Sequence, residues 1–546
     1  MRLRLLCLFT FCLFSISCSS KPETKLVVFL VADQMRPDHL SRFKNLYKGG
    51  FKWLIENGFS FQKAFHQHGY TATGPGHFAI ASGKHPGPAG VLGNSYYDRE
   101  LDKVVNCVED VKAKTVGGDG KARSFVRYNN KMIGDILKEK SPKSKVISIA
   151  GKDRSAIMMA GKNPDLVLYY NNIDKFITSD YYSDTLPQYI NEFNDELNFE
   201  TYRDSLWTKI LPDSMYLKYA RLDNFKGEVD SYHMDHDLVT NTKIKTDNYN
   251  PVFPISFDQD KKPGAEILGT PWFDDKLVDL SKLILDKGAL GADKIPDLLF
   301  IGFSAMDYII HNFGPFSQET MDYLIRLDLQ LDELISHIEN TIGLEHVEFV
   351  LTSDHGGLPL PEFLPQLNLT GGRINRDNLQ EAYDWIDDEI SEFYDENLFY
   401  RHGTNFYFYH DKLKKKNILS SDLENIIKKY LKMIDGVKTV LSKTEIVNSK
   451  ETDVVSLRLK NMVHIDQSAD IFVILEPGYL YKTPYGTSHG SPYDYDAHVP
   501  LLFIKKGRTK TEFSVRTETV DIVPTILNLL NVKTDYPLDG KILPIQ

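Results

Sequence analysis

The sequence predicts an α/β fold built on a largely parallel sheet with helices on its faces. Short apolar runs rich in Val, Ile and Phe are typical of buried strands, and they lie at 25–33, 145–151, 296–304, 347–354, 470–478 and 499–507. Helical patterns lie between some of these runs. Strands that alternate with helices usually pair in parallel, because each helix crosses back over the sheet.

Three segments carry the clearest helical signals. In 322–342, apolar residues recur at helical spacing, and Gly343 follows just beyond them. A second helix is predicted from Ser421, where "SDLE" would form a capping box.

The third signal is "TATGPGHFAIASG" at 71–83, which predicts a short buried helix over 77–81 that ends near Gly83. Thr73 would lie at its N-terminus, where unpaired N–H groups and the helix dipole favour negative charge. Its hydroxyl is either a helix cap or a nucleophile.

Two long intervals, at about 165–290 and 360–465, interrupt the pattern and are rich in Tyr, Phe, Asn and Asp. They lack a strand–helix rhythm of their own. Residues 22–546 are therefore predicted to form a single domain with two insertions, and such insertions often build the walls of a site.

The first 18 residues are predicted to be a signal peptide. "MRLR" is a basic start, and "LLCLFTFCLFSI" is an apolar stretch too short to span a bilayer comfortably. The following Ser17-Cys18 pair predicts a lipoprotein cleavage site, with ordinary cleavage as the alternative. We expect export to the periplasm and anchoring to the membrane through a lipidated Cys18.

Cysteine content and charge exclude several classes of site. Only Cys107 remains after the signal segment, so no internal disulfide and no thiolate zinc site can form. The net charge of −11 argues against a nucleic-acid partner. An anionic ligand would need metal ions or a few placed cations.

Polar residues follow four of the predicted strands. They are Asp33 after 25–33, Lys152 and Arg154 after 145–151, Asp307 and His311 after 296–304, and Asp354 and His355 after 347–354. Each alone could be a cap, a turn or a surface pair. Carboxyl ends of parallel strands meet at one edge of a sheet, so the groups should converge. With His489, the three aspartates and two histidines of this group form an oxygen and nitrogen donor set suited to zinc.

Seven motifs carry a resemblance to a known family. They are "VADQMRPD", "TATGPGH", "GNSYYD", "GKDRSAI", "SAMDYIIH", "TSDHGG" and "SHGSPYDYDAHVP". They occur in the order found in the alkaline phosphatase superfamily and most resemble the phosphate-irrepressible alkaline phosphatases. The resemblance extends to "TVDIVPTILNLLNV" and "LDGKIL", which look like the closing helix and strand of the superfamily. It implies an alkaline-phosphatase-like sandwich with cap insertions.

The resemblance also implies two zinc ions and a threonine nucleophile. One zinc would be held by Asp33, Thr73, Asp354 and His355, and the other by Asp307, His311 and His489. Asn94, Lys152 and Arg154 would contact the phosphoryl group of the substrate. Thr73 would be the nucleophile. Thr71 is expected to be structural, and His77 and His498 to be packing or hydrogen-bonding residues.

The implied reaction is hydrolysis of small phosphate monoesters through a phosphothreonine intermediate, with zinc lowering the pKa of the Thr73 hydroxyl. Two zinc ions, three carboxylates and one alkoxide cancel in formal charge, so Lys152 and Arg154 match a monoester dianion. A phosphodiesterase or nucleotide pyrophosphatase is the alternative, and a non-catalytic metal-binding surface lipoprotein is the remote one. No Cys-x-Pro-x-Arg or Ser-x-Pro-x-Arg motif lies at the nucleophile position, which disfavours a sulfatase.

Overall fold

We describe a computed structural model of the chain, which covers residues 23–228, 252–257, 261–394, 396–481 and 484–545. The predicted signal segment, with Cys18, lies outside the described residues. Within these ranges, no helix combines the length and the apolar character needed to cross a membrane.

The strands, in chain order, are β1 (Leu26–Ala32), β2 (Gly58–Phe65), β3 (Ser95–Asp98), β4 (Lys103–Asn106), β5 (Thr115–Val116), β6 (Val146–Ala150), β7 (Leu166–Tyr170), β8 (Phe176–Ser179), β9 (Leu206–Trp207), β10 (Ile255–Ser256), β11 (Asp297–Phe303), β12 (Val347–Thr352), β13 (Gly372–Arg373), β14 (Phe399–His402), β15 (Asn405–Phe408), β16 (Val437–Ser442), β17 (Ile471–Leu475), β18 (Tyr479–Leu480), β19 (His498–Val499), β20 (Leu501–Ile504) and β21 (Thr511–Glu518).

The α-helices, in chain order, are α1 (Pro37–Arg42), α2 (Gly50–Glu56), α3 (Thr73–Ser82), α4 (Ile133–Lys140), α5 (Asp153–Ala160), α6 (Gln188–Glu196), α7 (Asp213–Tyr219), α8 (Pro263–Glu266), α9 (Pro271–Lys287), α10 (Ala305–Phe313), α11 (Gln318–Thr341), α12 (Arg376–Tyr394), α13 (His410–Lys416), α14 (Ser420–Leu431), α15 (Lys443–Asn448), α16 (Val454–Lys460), α17 (Asp494–Ala497) and α18 (Ile522–Leu529).

A large sheet forms the centre of the molecule, and its central strands are parallel, as the sequence predicts. Its strands run in the order β19-β2-β20-β12-β1-β11-β6-β7-β8-β5, with β21 beside β2. The five central strands from β12 to β7 are parallel to one another. Side chains of β1 alternate between two hydrophobic cores, one on each face of the sheet. This burial on both faces explains the continuous apolar runs.

Two of the six predicted strands differ from the expected arrangement. β20 pairs antiparallel with β12, and its first residue, Leu501, lies opposite Thr352 at the end of β12. The chain therefore enters β20 at the edge where the parallel strands end. β17 belongs to a separate antiparallel sheet in the order β14-β15-β17-β16. Periodicity identifies a buried strand but not its partners.

The two predicted insertions differ in character. Within 165–290, the strands β7 and β8 extend the central sheet, and α9 packs into one of its two main cores. Most of 360–465 forms a unit with its own hydrophobic core, built around α12, α14 and the β14–β17 sheet. That unit continues to Leu475 at the end of β17.

The predicted helices are present, with different ends. α3 already starts at Thr73 and ends at Ser82, and it is capped by Gly83, whose φ of 66° is left-handed. α11 begins at Gln318, because Ser317 accepts a hydrogen bond from the Thr320 N–H. α14 begins at Ser420 with Leu419 as its cap, so the predicted capping box at Ser421 is wrong.

The C-terminus contains the expected helix, α18, but residues 538–543 form no strand. Two of the N–H groups in this segment donate to side chains at the start of that helix. Lys541 N bonds Asp521 Oδ1 at 2.8 Å, and Leu543 N bonds Thr525 Oγ1 at 2.9 Å. These bonds take the place of a strand ladder, so the prediction of a closing strand is wrong.

Candidate active site

The register of the central strands brings the predicted polar residues together. Val31 of β1 lies opposite Thr352 of β12, and Ala32 lies opposite Phe303 of β11. Gly302 of β11 in turn lies opposite Ala150 of β6. The four strands therefore end at nearly the same level, so the residues that follow them share one edge of the sheet.

The first donor cluster consists of Asp33, Asp354 and His355, and all three are buried. Their candidate ligand atoms lie within 4.8 Å of one another. His355 Nε2 is 3.5 Å from Asp33 Oδ1 and 3.4 Å from Asp354 Oδ2. The other Asp354 oxygen, Oδ1, accepts hydrogen bonds from the backbone N–H groups of Gln34 and His355. This fixes the carboxylate and directs Oδ2 to the cluster.

The second donor cluster consists of Asp307, His311 and His489, again within 4.8 Å of one another. Asp307 and His311 lie four residues apart on α10, so they share one helix face. His489 comes from the loop that leads to α17. Its ring stacks on that of His355 at a centroid distance of 3.6 Å, so the two clusters are in direct contact.

Backbone carbonyls fix the tautomers of all three histidines in these clusters. His311 Nδ1 lies 2.8 Å from Thr487 O, His489 Nδ1 lies 2.7 Å from Thr71 O, and His355 Nδ1 lies 2.9 Å from Gly356 O. Because a carbonyl oxygen can only accept, Nδ1 must carry the proton in each case. Each Nε2 then presents its lone pair to its cluster, which is the arrangement of a metal-binding histidine.

The residues fit the metal ions that the resemblance implies. Asp33 Oδ1, Asp354 Oδ2 and His355 Nε2 are buried and have no hydrogen-bond partner among the described residues. Unpaired buried polar atoms are costly, so three of them converging on one point fit a site that binds a cation. Carboxylate and imidazole donors without thiolates suit zinc.

Thr73 is buried at the first position of α3, beside the first cluster. The helix can approach so closely because residue 76 is glycine: a Cβ there would lie 2.0 Å from the carbonyl oxygen of Asp354. His77 links the two elements, since its Nδ1 lies 2.9 Å from Thr73 O and 3.3 Å from Asp354 Oδ2. The start of α3, which carries Thr73, is thereby held against Asp354 of the first cluster.

Asn94 is tied to the same helix start. Its Oδ1 accepts a hydrogen bond from Gly74 N at 2.8 Å, next to Thr73. With its carbonyl oxygen engaged, the side-chain amide keeps two N–H donors for another partner.

Lys152 connects the two clusters. Its buried ammonium group donates to Asp33 Oδ2 at 2.6 Å and to Asp307 Oδ2 at 2.5 Å. An ammonium group has three donors, so one remains. Lys152 is the N-cap residue of α5, and Arg154 lies in the first turn of that helix.

Arg154 is held by Asp153, a residue that the sequence reasoning missed. Asp153 Oδ1 lies 3.5 Å from Arg154 Nη1, while Oδ2 accepts from Arg123 Nε at 3.0 Å. One carboxylate thus orients two guanidinium groups. The Arg154 side chain is 17% exposed.

Burial and neighbouring charges shift the pKa values at the site. Burial would lower the pKa of Lys152, but the Asp307 and Asp33 carboxylates raise it above its usual value. Burial opposes ionisation of Asp307, yet Lys152 and His311 hold its pKa well below the usual range. Burial lowers the pKa of His489. Lys152 is therefore charged, and His489 is neutral as a metal ligand must be.

Gln34 is a second residue that sequence reasoning missed. It follows Asp33 with a φ of 64°, in the left-handed region. With its amide in the orientation that satisfies both ends, its side chain donates to Asp307 Oδ1 at 3.1 Å, while its backbone N–H bonds Asp354. It therefore braces one carboxylate of each cluster. The only signal in the sequence is its position directly after a strand-terminal aspartate.

The three residues predicted to be structural, or to pack and hydrogen-bond, each bond a backbone carbonyl. Thr71 donates its hydroxyl to Ser491 O at 3.0 Å, and its carbonyl holds His489. His77 is fully buried and hydrogen-bonded, as described above. His498 bonds Gln62 O at 2.9 Å and stacks on Phe65, away from both clusters.

The chain is similar to known proteins in both sequence and structure. The chain is 29% identical over 531 residues to "Alkaline phosphatase PafA" of Elizabethkingia meningoseptica, covering 95% of this chain and 94% of the relative. It is 29% identical over 580 residues to "Alkaline phosphatase PhoV" of Synechococcus elongatus, covering 100% of this chain and 99% of the relative. The crystal structure of wild-type PafA matches with a TM-score of 0.86 and 29% identity, over 96% of this chain and 99% of that one.

The model of one protein family also matches most of the chain. The family is described as type I phosphodiesterase / nucleotide pyrophosphatase, and the match runs over residues 27–499. This span contains both donor clusters, Thr73, Asn94, Lys152 and Arg154. The chain belongs to the type I phosphodiesterase / nucleotide pyrophosphatase family, within the alkaline phosphatase superfamily.

Proposed function

We propose that this protein is a zinc-dependent phosphate monoester hydrolase, an alkaline phosphatase, that acts through a phosphothreonine intermediate. The observation that carries the proposal is the pair of buried donor clusters joined by Lys152, with Thr73 at a helix N-terminus beside them. A non-catalytic metal-binding protein would not need a buried hydroxyl at this point.

Asp33, Thr73, Asp354 and His355 would hold one zinc ion, and Asp307, His311 and His489 the other. Bound there, the ions would lower the pKa of the Thr73 hydroxyl and stabilise negative charge on the departing oxygen.

The residues of the chain account for the rest of the reaction. The Thr73 oxygen attacks phosphorus, and the bond from phosphorus to the ester oxygen breaks as the alcohol leaves. Water then attacks the phosphothreonine, which releases phosphate and restores the hydroxyl. The amide of Asn94, the third N–H of Lys152 and the guanidinium of Arg154 are the donors for the non-bridging oxygens. Positioning and electrostatics of this kind supply most of the rate in phosphoryl transfer.

Two lines of support favour a monoester over a diester. The relatives PafA and PhoV are both named alkaline phosphatases. Lys152 and Arg154 add two positive charges beside ligands whose charge two zinc ions would cancel, and a monoester dianion carries two negative charges. Phosphodiesterase or nucleotide pyrophosphatase activity is the second candidate, because the description of the family model names that chemistry.

The proposal includes small phosphate monoesters as substrates and two zinc ions per chain. It also includes export to the periplasm, with Cys18 as the lipid anchor. The apolar segment and Ser17-Cys18 support export and anchoring.

The test compares phosphate release from a monoester with hydrolysis of the matching diester and sulfate ester, with and without a chelator. We expect the monoester to be the best substrate by kcat/KM, and activity to disappear on chelation and return with zinc. A diester preferred over the monoester would support the second candidate. Full activity in metal-free protein would contradict the mechanism.

A further inference from the structure

One exposed aromatic ring lies close in sequence to the proposed nucleophile. Residues 64–83 are all buried except Tyr70, which is 41% exposed. Tyr70 lies three residues before Thr73, in the segment whose backbone also holds His489. Because the neighbouring residues are buried, the backbone at Tyr70 is fixed, while part of its ring remains open to solvent.

Two glycines flank the Tyr70 ring. A Cβ on Gly93 would lie 3.2 Å from Tyr70 Cε1, and a Cβ on Gly490 would lie 3.2 Å from Tyr70 Cε2. These two atoms are on opposite edges of the ring, so the ring is flanked by the two glycines. Either glycine, if given a side chain, would crowd the ring.

The two glycines also relate the position of the Tyr70 ring to the proposed site residues. Gly93 precedes Asn94, the proposed phosphoryl-binding amide, and Gly490 follows His489 of the second cluster. The second cluster is the one beside which the leaving oxygen would depart. Tyr70 therefore borders the leaving-group side of the phosphoryl site.

The insertion of 360–465 reaches the same region. His402, at the end of β14, places Nε2 3.4 Å from the Oγ of Ser95, the residue after Asn94. Tyr400 of the same strand stacks on Tyr97 at a centroid distance of 4.5 Å. His402 and Tyr400 thus contact the segment that directly follows Asn94.

We propose that Tyr70 is a specificity-determining residue that stacks on a planar aromatic leaving group of the substrate. The inference rests on the proposed function and names the class of ester that the site prefers. A fixed aromatic ring stacks on another ring at little cost in side-chain entropy, whereas an alkyl group gains less from the contact. The preference is expressed in binding, because the ring touches the leaving group and not the phosphorus.

The test measures kcat/KM of the zinc-loaded enzyme for phenyl phosphate and for ethyl phosphate, in wild type, Tyr70→Ala and Tyr70→Phe. We expect Tyr70→Ala to lose about tenfold on phenyl phosphate, mainly through KM, and less than about twofold on ethyl phosphate. Tyr70→Phe should retain the wild-type values. Tyr181→Ala, which removes another exposed tyrosine outside the site, should change neither value.

Equal losses on the two esters in Tyr70→Ala, or no loss on either, would overturn the inference. The inhibition constant of inorganic phosphate separates these cases further, since it should stay unchanged if Tyr70 touches only the leaving group. Failure of the proposed function would appear differently, as low wild-type activity on both monoesters. The same aryl to alkyl ratio would then be measured on phosphodiesters.

Discussion

Among single residues, Thr73 and the nearby Thr71 differ in their surroundings. The Thr71 hydroxyl is engaged with Ser491 O at 3.0 Å and supports the loop of His489. Thr73 lies at the start of α3, against the backbone of Asp354. A threonine next to a candidate metal-binding carboxylate cluster is the one whose hydroxyl could be activated as a nucleophile.

We therefore predict that Thr73 carries the phosphoryl group. Thr73→Ser should keep activity within about tenfold of wild type because a hydroxyl survives, and Thr73→Ala should lose at least about 10³-fold. Acid quenching during turnover, followed by peptide mapping, should locate phosphate on residue 73. Thr71→Val is the matched control and should still be labelled at residue 73. Phosphate found on Thr71 or elsewhere would contradict the assignment.

Arg154 distinguishes the two candidate functions. Its planar guanidinium, oriented by Asp153, can hold two phosphoryl oxygens. We expect Arg154→Ala to lower kcat/KM for a monoester by about 10²–10³-fold, and for a diester by clearly less. Arg154→Lys should recover part of the loss, because it restores charge but not the fork. Arg376→Ala, at an exposed position in the insertion, should have no effect. An equal loss on both substrates would favour the phosphodiesterase.

At this scale, the sequence predicts well which residues come together in the site. It predicts less well which neighbouring residues orient them. Asp33, Asp307 and Asp354 could be found because each follows an apolar run and the ends of parallel strands converge. Asp153 and Gln34 could not be found, because their roles depend on side-chain directions that only the folded backbone sets. Lys152 illustrates the same limit, since its contact with both carboxylates follows from its position before α5.

At the scale of elements, the approach of α3 to the end of β12 is what places Thr73, the proposed nucleophile. A Cβ at position 76 would lie 2.0 Å from the carbonyl oxygen of Asp354, and this oxygen belongs to the backbone and cannot rotate away. Gly76 therefore sets the distance between the helix and the first donor cluster.

We predict that Gly76→Ala lowers stability by about 1–3 kcal/mol and activity by about 10²-fold, because the helix start must withdraw. Gly372→Ala is the control: its nearest neighbour would be the Tyr479 side chain at 3.2 Å, which can shift. Thermal unfolding and kcat/KM of both variants check this. Wild-type values for Gly76→Ala would show that α3 is not held at this distance.

Elements were predicted well where burial alone decides them. The continuous apolar runs gave the six strands, and the heptad-like spacing in 322–342 gave α11. The sheet to which β17 belongs, the cap of α14 and the missing strand at 538–543 could not be predicted. Each depends on a partner distant in sequence, such as the Thr525 hydroxyl that takes the Leu543 N–H.

At the scale of the whole molecule, the central sheet concentrates negative charge in a dry place. Asp33, Asp307 and Asp354 are all buried at one edge, with the Lys152 ammonium between two of them. Burying charge is costly unless it is compensated, and the one Lys152 ammonium cannot compensate three carboxylates. Bound cations would supply the remaining positive charge. Metal binding should therefore stabilise the fold as well as enable the reaction.

We predict about two zinc ions per chain by elemental analysis, and an unfolding temperature several degrees lower after chelation. His311→Ala removes one ligand of the second cluster only, so it should reduce the zinc content to about one and abolish most activity. The first cluster should keep its ion, because Asp33, Asp354 and His355 are untouched. His498→Ala removes a histidine that bonds Gln62 O away from both clusters, so it should keep two zinc ions. Zinc content near zero in the wild type, or an unfolding temperature that chelation leaves unchanged, would contradict a fold whose buried carboxylates depend on metal ions.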